Sequence, residues 1–123
     1  MAWQHHGLTC APGSMLCALE AIPEGGCHEL TLGSAPACLS VLLWRRQGSV
    51  RAYHNCCPHF SLPLNAHAGQ FLLMGSHRLM CAWHCAVFDL HDGRCLEGPA
   101  KGMALESLPV AVVAGQVIRA EDA

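Results

Sequence analysis

The sequence has few charged side chains and no cluster of basic ones. Of its 123 residues only 13% are charged, Lys and Arg together number seven, and the formal net charge is −2. Proteins that bind nucleic acids need basic patches that neutralise phosphates, and this sequence has none. We therefore expect no nucleic-acid partner.

Long apolar runs are also absent. The longest run, 37–44, is interrupted by Ser40 and is far shorter than the roughly 20 residues that a membrane-spanning helix needs. The first residues show no basic segment followed by an apolar one, so the sequence predicts no secretory signal. We expect neither a membrane partner nor export.

A helical period is the third missing feature. No segment repeats apolar residues at helical spacing over about eleven residues, whereas short β-type runs recur between glycine-containing turns. The clearest pairs are 37–46 with 50–54 and 108–113 with 116–119. The sequence therefore predicts an all-β fold, a sandwich or small barrel, and its length predicts a single domain, 1–123.

Cysteine, by contrast, is abundant. The nine cysteines are an odd number without an export signal, which argues against a disulfide scaffold and for a reducing cytoplasm. A free buried cysteine acts as a small apolar side chain. We expect this role for Cys10, Cys17, Cys27, Cys38 and Cys95.

Two mixed clusters in the stretch 55–100 offer metal ligands. They are Cys57-Pro58-His59 and Cys81-Ala82-Trp83-His84, with 21 residues between them. Thiolate and imidazole together favour zinc or iron–sulfur. Structural zinc sites usually pair Cys with Cys and then His with His, whereas each cluster here supplies one of each. Zinc, or core residues without any metal, are the alternatives.

The clusters and their neighbours resemble the Rieske family, whose 2Fe–2S centre has two Cys ligands on one iron and two His ligands on the other. The segments 53–59 and 81–89 match its two ligand loops, and Gly98-Pro99-Ala100 matches the proline loop that covers the cluster. Cys85 stands where Rieske proteins commonly have Gly. The resemblance implies three small antiparallel sheets with a cluster-binding subdomain, about 55–100, inserted at one tip.

The resemblance also implies roles for the four ligands. Cys57 and Cys81 would bind the inner iron, and His59 and His84 the exposed outer iron. The implied function is a one-electron carrier between a flavin-containing reductase and a terminal oxygenase. We expect the chain not to be an enzyme itself, because its length leaves no room for the mononuclear iron domain that Rieske oxygenases need.

Two alternatives remain open at this point. The chain could be a small Rieske subunit of a larger reductase, such as an assimilatory nitrite reductase. It could also be an iron–sulfur redox sensor in which Cys56 or Cys85 responds to oxidation, although no effector segment is evident. Co-purification would distinguish the carrier from the reductase subunit. The carrier should purify alone, and the subunit should purify with a large catalytic subunit.

Four neighbouring positions predict the reduction potential. High-potential Rieske proteins of cytochrome bc complexes have a disulfide between the two ligand loops, and the matching positions here are Leu62 and Trp83. They also have a Ser and a Tyr near the cluster, where this chain has Ala86 and Phe88. With fewer hydrogen-bond donors the reduced cluster is less stabilised. We therefore expect the low end of the family range, roughly −150 mV.

Overall fold

The computed structural model describes residues 12–33, 38–58, 62–83 and 85–120. In this part of the chain there are eleven strands and one short 3-10 helix, Leu19–Ala21, which follows β1. The strands are β1 (Met15–Ala18), β2 (Cys27–Leu32), β3 (Leu39–Arg46), β4 (Ser49–His54), β5 (Leu72–Met74), β6 (Arg78–Met80), β7 (Val87–Asp89), β8 (Cys95–Glu97), β9 (Ser107–Leu108), β10 (Val110–Val113) and β11 (Gln116–Arg119). Among these residues no helix is both long and apolar enough to cross a bilayer.

The strands form three antiparallel sheets, which confirms the all-β prediction. The first sheet has the order β1-β11-β10, the second β2-β3-β4-β9 and the third β5-β6-β7-β8. In the second sheet β4 and β9 are hydrogen-bonded neighbours, although β5 to β8 lie between them in the chain. The third sheet is therefore an insertion into the second, as the resemblance implies.

Strand β3 separates two apolar cores, which explains its nearly continuous apolar sequence. Leu42 and Trp44 face a core that also holds Tyr53 and the third sheet. Val41 and Leu43 face a second core against the first sheet. Because successive side chains point to opposite faces of a strand, one run of apolar residues serves both cores.

Two of the hairpin turns follow the expected chemistry. Gln47 and Gly48 join β3 to β4 with φ values of 53° and 78°, and Ala114 and Gly115 join β10 to β11 with 51° and 76°. Two consecutive residues at positive φ make the tight turn that matches the twist of paired strands. Glycine at the second position of each turn takes this conformation without a Cβ clash.

The prediction of one strand over 108–113 is wrong. Ser107–Leu108 pairs with β4 in the second sheet, whereas Val110–Val113 pairs with β11 in the first. Pro109 lies between them and has no N–H group to donate to a ladder. The chain therefore changes sheets at the proline.

The eight cysteines in the described ranges form no disulfide bonds with one another. The prediction that the cysteines outside the ligand loops are buried holds for Cys95. It is wrong for Cys38, which is exposed, and Cys17 and Cys27 are only half-buried. Cys10 lies outside the described residues.

Candidate metal centre

The first ligand loop starts where β4 ends. The N–H of Asn55 donates to the carbonyl of Ser40 at 2.9 Å, which extends the pairing with β3 by one residue. The N–H of Cys57 then donates to the carbonyl of Leu62 at 2.7 Å and closes the loop. Cys57 is 1% exposed, so its thiol faces the core. His59 lies outside the described residues.

The second ligand loop joins β6 to β7. The N–H of Cys81 donates to the carbonyl of Ala86 at 2.7 Å, and the N–H of Cys85 donates to the carbonyl of Cys81 at 3.1 Å. Cys81 is 1% exposed and belongs to the same apolar core as Cys57. His84 lies outside the described residues.

Cys85 has a left-handed backbone, with φ of 59°. A residue with a Cβ rarely adopts this conformation, whereas Gly adopts it freely. The geometry therefore explains why Gly is usual here in Rieske proteins, and it shows that the chain accommodates Cys instead. The side chain is exposed, so the cost of the substitution is backbone strain and not a steric clash in the core.

Two hydrogen bonds join the ligand loops to one another. The N–H of Ala82 donates to the carbonyl of Leu64 at 2.9 Å, and the indole Nε1 of Trp83 donates to the carbonyl of Pro63 at 2.8 Å. Both acceptors follow the first loop directly. A shift of one loop would therefore break bonds to the other.

The segment after β8 packs tightly on the second loop. A Cβ added to Gly98 would lie 2.9 Å from the Cα of Ala86, a distance that real Cβ contacts essentially never show. Gly98 has φ of 95°, and Ala100 is fully buried in the core that holds both thiols. The loop that the resemblance assigns as the cover of the cluster thus contacts the second ligand loop.

The first loop also rests on buried polar side chains that no sequence motif marks. Asn55 and Asn65 are 3% and 7% exposed. Asn55 Nδ2 donates to Asn65 Oδ1 at 2.8 Å, and Asn55 Oδ1 accepts from the N–H of Leu64 at 2.9 Å. The contacts span separate parts of the chain, so residue spacing alone does not predict them.

Around the two thiols the core is apolar. Ala86 and Phe88 are fully buried, and neither side chain has a hydroxyl to donate. Cys95 belongs to the same core, and burial raises the pKa of its thiol. Its Sγ lies 3.1 Å from the carbonyl of Glu97, to which it donates. Cys95 therefore acts as a buried neutral thiol.

A second group of donor side chains lies at the other end of the third sheet. Ligand-type atoms of His77, Asp89 and His91 lie within 4.8 Å of one another. Asp89 Oδ1 lies 3.2 Å from Nδ1 of His91, and Nη1 of Arg46 lies 3.1 Å from Nε2 of the same histidine. Both ring nitrogens of His91 thus have protein partners, and Arg46 opposes a bound cation. No metal is needed to satisfy these groups.

The chain matches a family model described as the Rieske [2Fe-2S] domain over residues 14–112. A curated relative, the cytochrome bc1 complex Rieske iron-sulfur subunit of Streptomyces lividans, is 38% identical over 72 residues. The matched segment covers 58% of this chain but only 38% of that subunit. The chain therefore corresponds to part of the relative and not to its full length.

Two solved structures show the same fold. The ferredoxin of carbazole 1,9a-dioxygenase from Nocardioides aromaticivorans IC177 has a TM-score of 0.68 and 19% identity, covering 91% of this chain and 100% of the ferredoxin. The terminal oxygenase of the same enzyme system has a TM-score of 0.72 and 24% identity, and the match covers 91% of this chain and 31% of the oxygenase. At these identities the likeness concerns the fold alone.

The donors in the described ranges fit a 2Fe–2S group. Cys57 and Cys81 are not in disulfide bonds, are buried in one core, and lie on loops that are hydrogen-bonded to one another. Soft thiolates in an apolar setting suit iron–sulfur chemistry. Two thiols alone do not complete such a site, so the imidazoles remain a prediction.

Proposed function

Because this chain belongs to the Rieske [2Fe-2S] domain family, whose cofactor is a 2Fe–2S cluster, we propose that it is a one-electron carrier. It takes its electron from a flavin-containing reductase and passes it to a terminal oxygenase, and it is not itself an enzyme. The observation that carries the proposal is the burial of two cysteine side chains, Cys57 and Cys81, in one core on two loops joined by hydrogen bonds.

The proposed ligands are Cys57 and Cys81 for the inner iron and His59 and His84 for the outer iron. The bound cluster supplies a one-electron acceptor whose potential exceeds that of an all-cysteine cluster, since neutral imidazoles replace two thiolates. The protein orients the ligands and excludes water from the buried sulfur atoms of the two cysteines. The proposal treats residues 1–123 as one domain, with the cluster-binding part at about 55–100.

An apolar rim supports a protein partner next to the ligand loops. Leu62 is 39% exposed and Trp83 is 48% exposed, and each lies within three residues of a proposed histidine ligand. Exposed large apolar side chains beside a functional site often mark a contact surface. We assign this rim to the oxygenase, and we place the carrier in the cytoplasm, where free cysteines remain reduced.

An EPR spectrum of the dithionite-reduced protein tests the cofactor. We expect a rhombic signal with the low average g of a His-ligated 2Fe–2S cluster, together with two irons and two sulfides per chain. Addition of an NADH-dependent flavin reductase should produce the same signal, and addition of a ring-hydroxylating oxygenase should then remove it. An EPR-silent protein with stoichiometric zinc would refute the proposal.

The relative from Streptomyces favours a second candidate, the Rieske subunit of a cytochrome bc1-type complex. The positions of the bridging cysteines in such proteins hold Leu62 and Trp83 here, and Ala86 and Phe88 offer no hydroxyl, so we prefer the ferredoxin. A redox titration separates the two functions. The ferredoxin should titrate at roughly −150 mV, and a clearly positive potential would favour the bc1-type subunit.

A further inference from the structure

Glu29 on β2 accepts hydrogen bonds from four residues in three other parts of the chain. Its Oε2 accepts from Ser40 Oγ at 2.8 Å and from Asn55 Nδ2 at 3.3 Å. Its Oε1 accepts from Asn65 Nδ2 at 3.0 Å and from the N–H of Gly69 at 2.7 Å. One carboxylate therefore binds β3, the first ligand loop and the segment between the two loops.

The two asparagines depend on this carboxylate because they are almost fully buried. Nδ2 of Asn55 donates one hydrogen to Asn65 Oδ1 and shares the other between Glu29 Oε2 and Ser40 Oγ, at 3.3 and 3.1 Å, and Asn65 also donates to the carbonyl of His67 at 2.9 Å. A buried amide without partners is costly. Loss of Glu29 would leave several such donors without their shared acceptor.

The charge of Glu29 matters as much as its position. Burial alone raises the pKa of its carboxyl, but the hydrogen bonds from Gly69, Ser40, Asn65 and Asn55 outweigh this effect and leave the pKa below its usual value. The group is therefore an ionised acceptor with no proton to donate. A glutamine would present an amide NH₂ to donors, so it cannot accept all four bonds.

The network reaches both ligand loops. Asn55 lies two residues before Cys57, and its Oδ1 accepts from the N–H of Leu64. The carbonyl of Leu64 in turn accepts from Ala82, next to Cys81. Hydrogen bonds thus connect Glu29 to Asn55 and Ala82, which lie within two residues of the two proposed cysteine ligands in sequence.

We propose that Glu29 is a positioning residue that fixes the first ligand loop and the inter-loop segment on the second sheet. The role rests on the proposed function, because the position of the loop matters for electron transfer only if Cys57 holds the cluster. Glu29 touches neither ligand cysteine and acts through Asn55 and Asn65. Its removal should loosen residues 62–70 while β3 and β4 remain paired.

Hydrogen exchange of the cluster-loaded protein tests the positioning directly. Glu29→Gln should raise amide exchange in 62–70 roughly tenfold or more, since charge-assisted hydrogen bonds are lost. Glu29→Asp keeps the charge but shortens the side chain and should raise exchange less. Glu20→Gln, at an exposed position on the 3-10 helix, makes the same charge change and should leave exchange unchanged.

A second readout separates positioning from general destabilisation and from charge. Both Glu29 variants should broaden the EPR lines of the reduced cluster and shorten its lifetime in air severalfold, because the ligand loop samples several geometries. A purely electrostatic role would leave Glu29→Asp like the wild type. Ser40→Ala removes one donor to Glu29 and one acceptor of Asn55 but keeps the carboxylate, so it provides a milder variant if Glu29→Gln does not fold.

Two results would overturn the inference. One is unchanged exchange in 62–70 and unchanged EPR line shape in both Glu29 variants. The other is an equal rise of exchange in 62–70 and in β3, which would show a general loss of stability. Failure of the proposed function appears separately, as a wild-type protein without the EPR signal, and the exchange comparison still applies to that protein.

Discussion

The two ligand loops are held in place by different means. The first depends on side-chain hydrogen bonds that come from distant parts of the chain, through Asn55 and Asn65 to Glu29. The second depends mainly on backbone geometry, with a left-handed residue at Cys85 and a glycine, Gly98, packed against Ala86, and it has one side-chain bond to the first, from Trp83. The first arrangement fixes a loop on a sheet, and the second fixes the shape of the loop itself.

The difference follows from where each loop lies. The first loop leaves the second sheet and enters a long connection, so its one internal backbone bond, from Cys57 to Leu62, is supplemented by contacts from distant parts of the chain. The second loop joins β6 to β7, which are adjacent strands of one small sheet, and a tight turn suffices. If the assignment is right, both loops are needed for metal binding, although the contacts that support each loop differ.

Loss of a cysteine ligand should have the largest effect. In Cys57→Ala or Cys81→Ala one iron lacks a thiolate, and we expect iron content below about a tenth of the wild type. Total iron, acid-labile sulfide and visible absorption measure this loss. Cys38→Ala, at an exposed free cysteine, is the control. Wild-type iron content in either ligand variant would contradict the ligand assignment for that loop.

A side chain at Gly98 should destabilise the second loop strongly. Its Cβ would lie 2.9 Å from a backbone atom, at φ of 95°, so Gly98→Ala should lower the free energy of unfolding by about 3 kcal/mol. Urea unfolding monitored by circular dichroism measures this change. Gly75→Ala has positive φ but open space around it and should cost about 1 kcal/mol. Equal losses in both variants would show that packing at Gly98 contributes little.

Tyr53 connects the two supports. It lies on β4, just before the first loop, and its hydroxyl donates to the carbonyl of Leu90 after β7 at 2.7 Å. Tyr53→Phe removes this buried hydrogen bond and leaves the carbonyl without it, which should cost about 1 kcal/mol. Chemical unfolding at neutral pH checks the value. A variant as stable as the wild type would show that water replaces the hydroxyl.

Because the pKa of Tyr53 is raised, we expect the protein to lose stability at alkaline pH. Burial, together with Asp92 and Asp89 and against the effect of Arg51, raises the pKa of Tyr53 from 10.0 to about 12. The folded state therefore favours the neutral phenol. Its contribution to stability is complete below pH 10 and is lost as the pH rises towards 12. Between pH 10 and 12 the free energy of unfolding, measured by chemical denaturation, should fall more steeply for the wild type than for Tyr53→Phe.

Much of the fold could be predicted because its signals are local. The ends of β3 at Arg46 and of β4 at His54, and both bounds of Gln116–Arg119, agree with the prediction, since β-type runs and glycine-containing turns mark these hairpins. The prediction of a single strand over 108–113 is wrong because it treats Pro109 as part of an apolar run. Its missing N–H group separates two strands of different sheets.

The site could be predicted only where chemistry marks it. The pairing of Cys with His at short spacing indicated four ligands; the structure buries both thiols, and all four ligand assignments remain predictions. The hydrogen-bond network around Glu29 has no such signal in the sequence, because it joins residues up to 40 positions apart. Side-chain contacts of this range follow from the fold and cannot be inferred from spacing.

The strain at Cys85 should give the smallest effect. Cys85→Gly removes the Cβ from a residue with φ of 59° and should raise the free energy of unfolding by about 0.5 to 1 kcal/mol. Ala114→Gly, with φ of 51° in the turn between β10 and β11, is the matched control, since it removes similar strain away from the ligand loops. Thermal unfolding of the two variants measures both changes.

The comparison of these two variants tests how the second loop is held. If the backbone alone shapes the loop, both glycines stabilise the protein by similar amounts, and Cys85 only adds strain. If Ala114→Gly stabilises while Cys85→Gly does not, the side chain of Cys85 must make a contact that offsets its strain. The shape of the second loop would then depend on a side chain of its own, as the position of the first loop depends on Asn55, and the contrast between the two loops would fail.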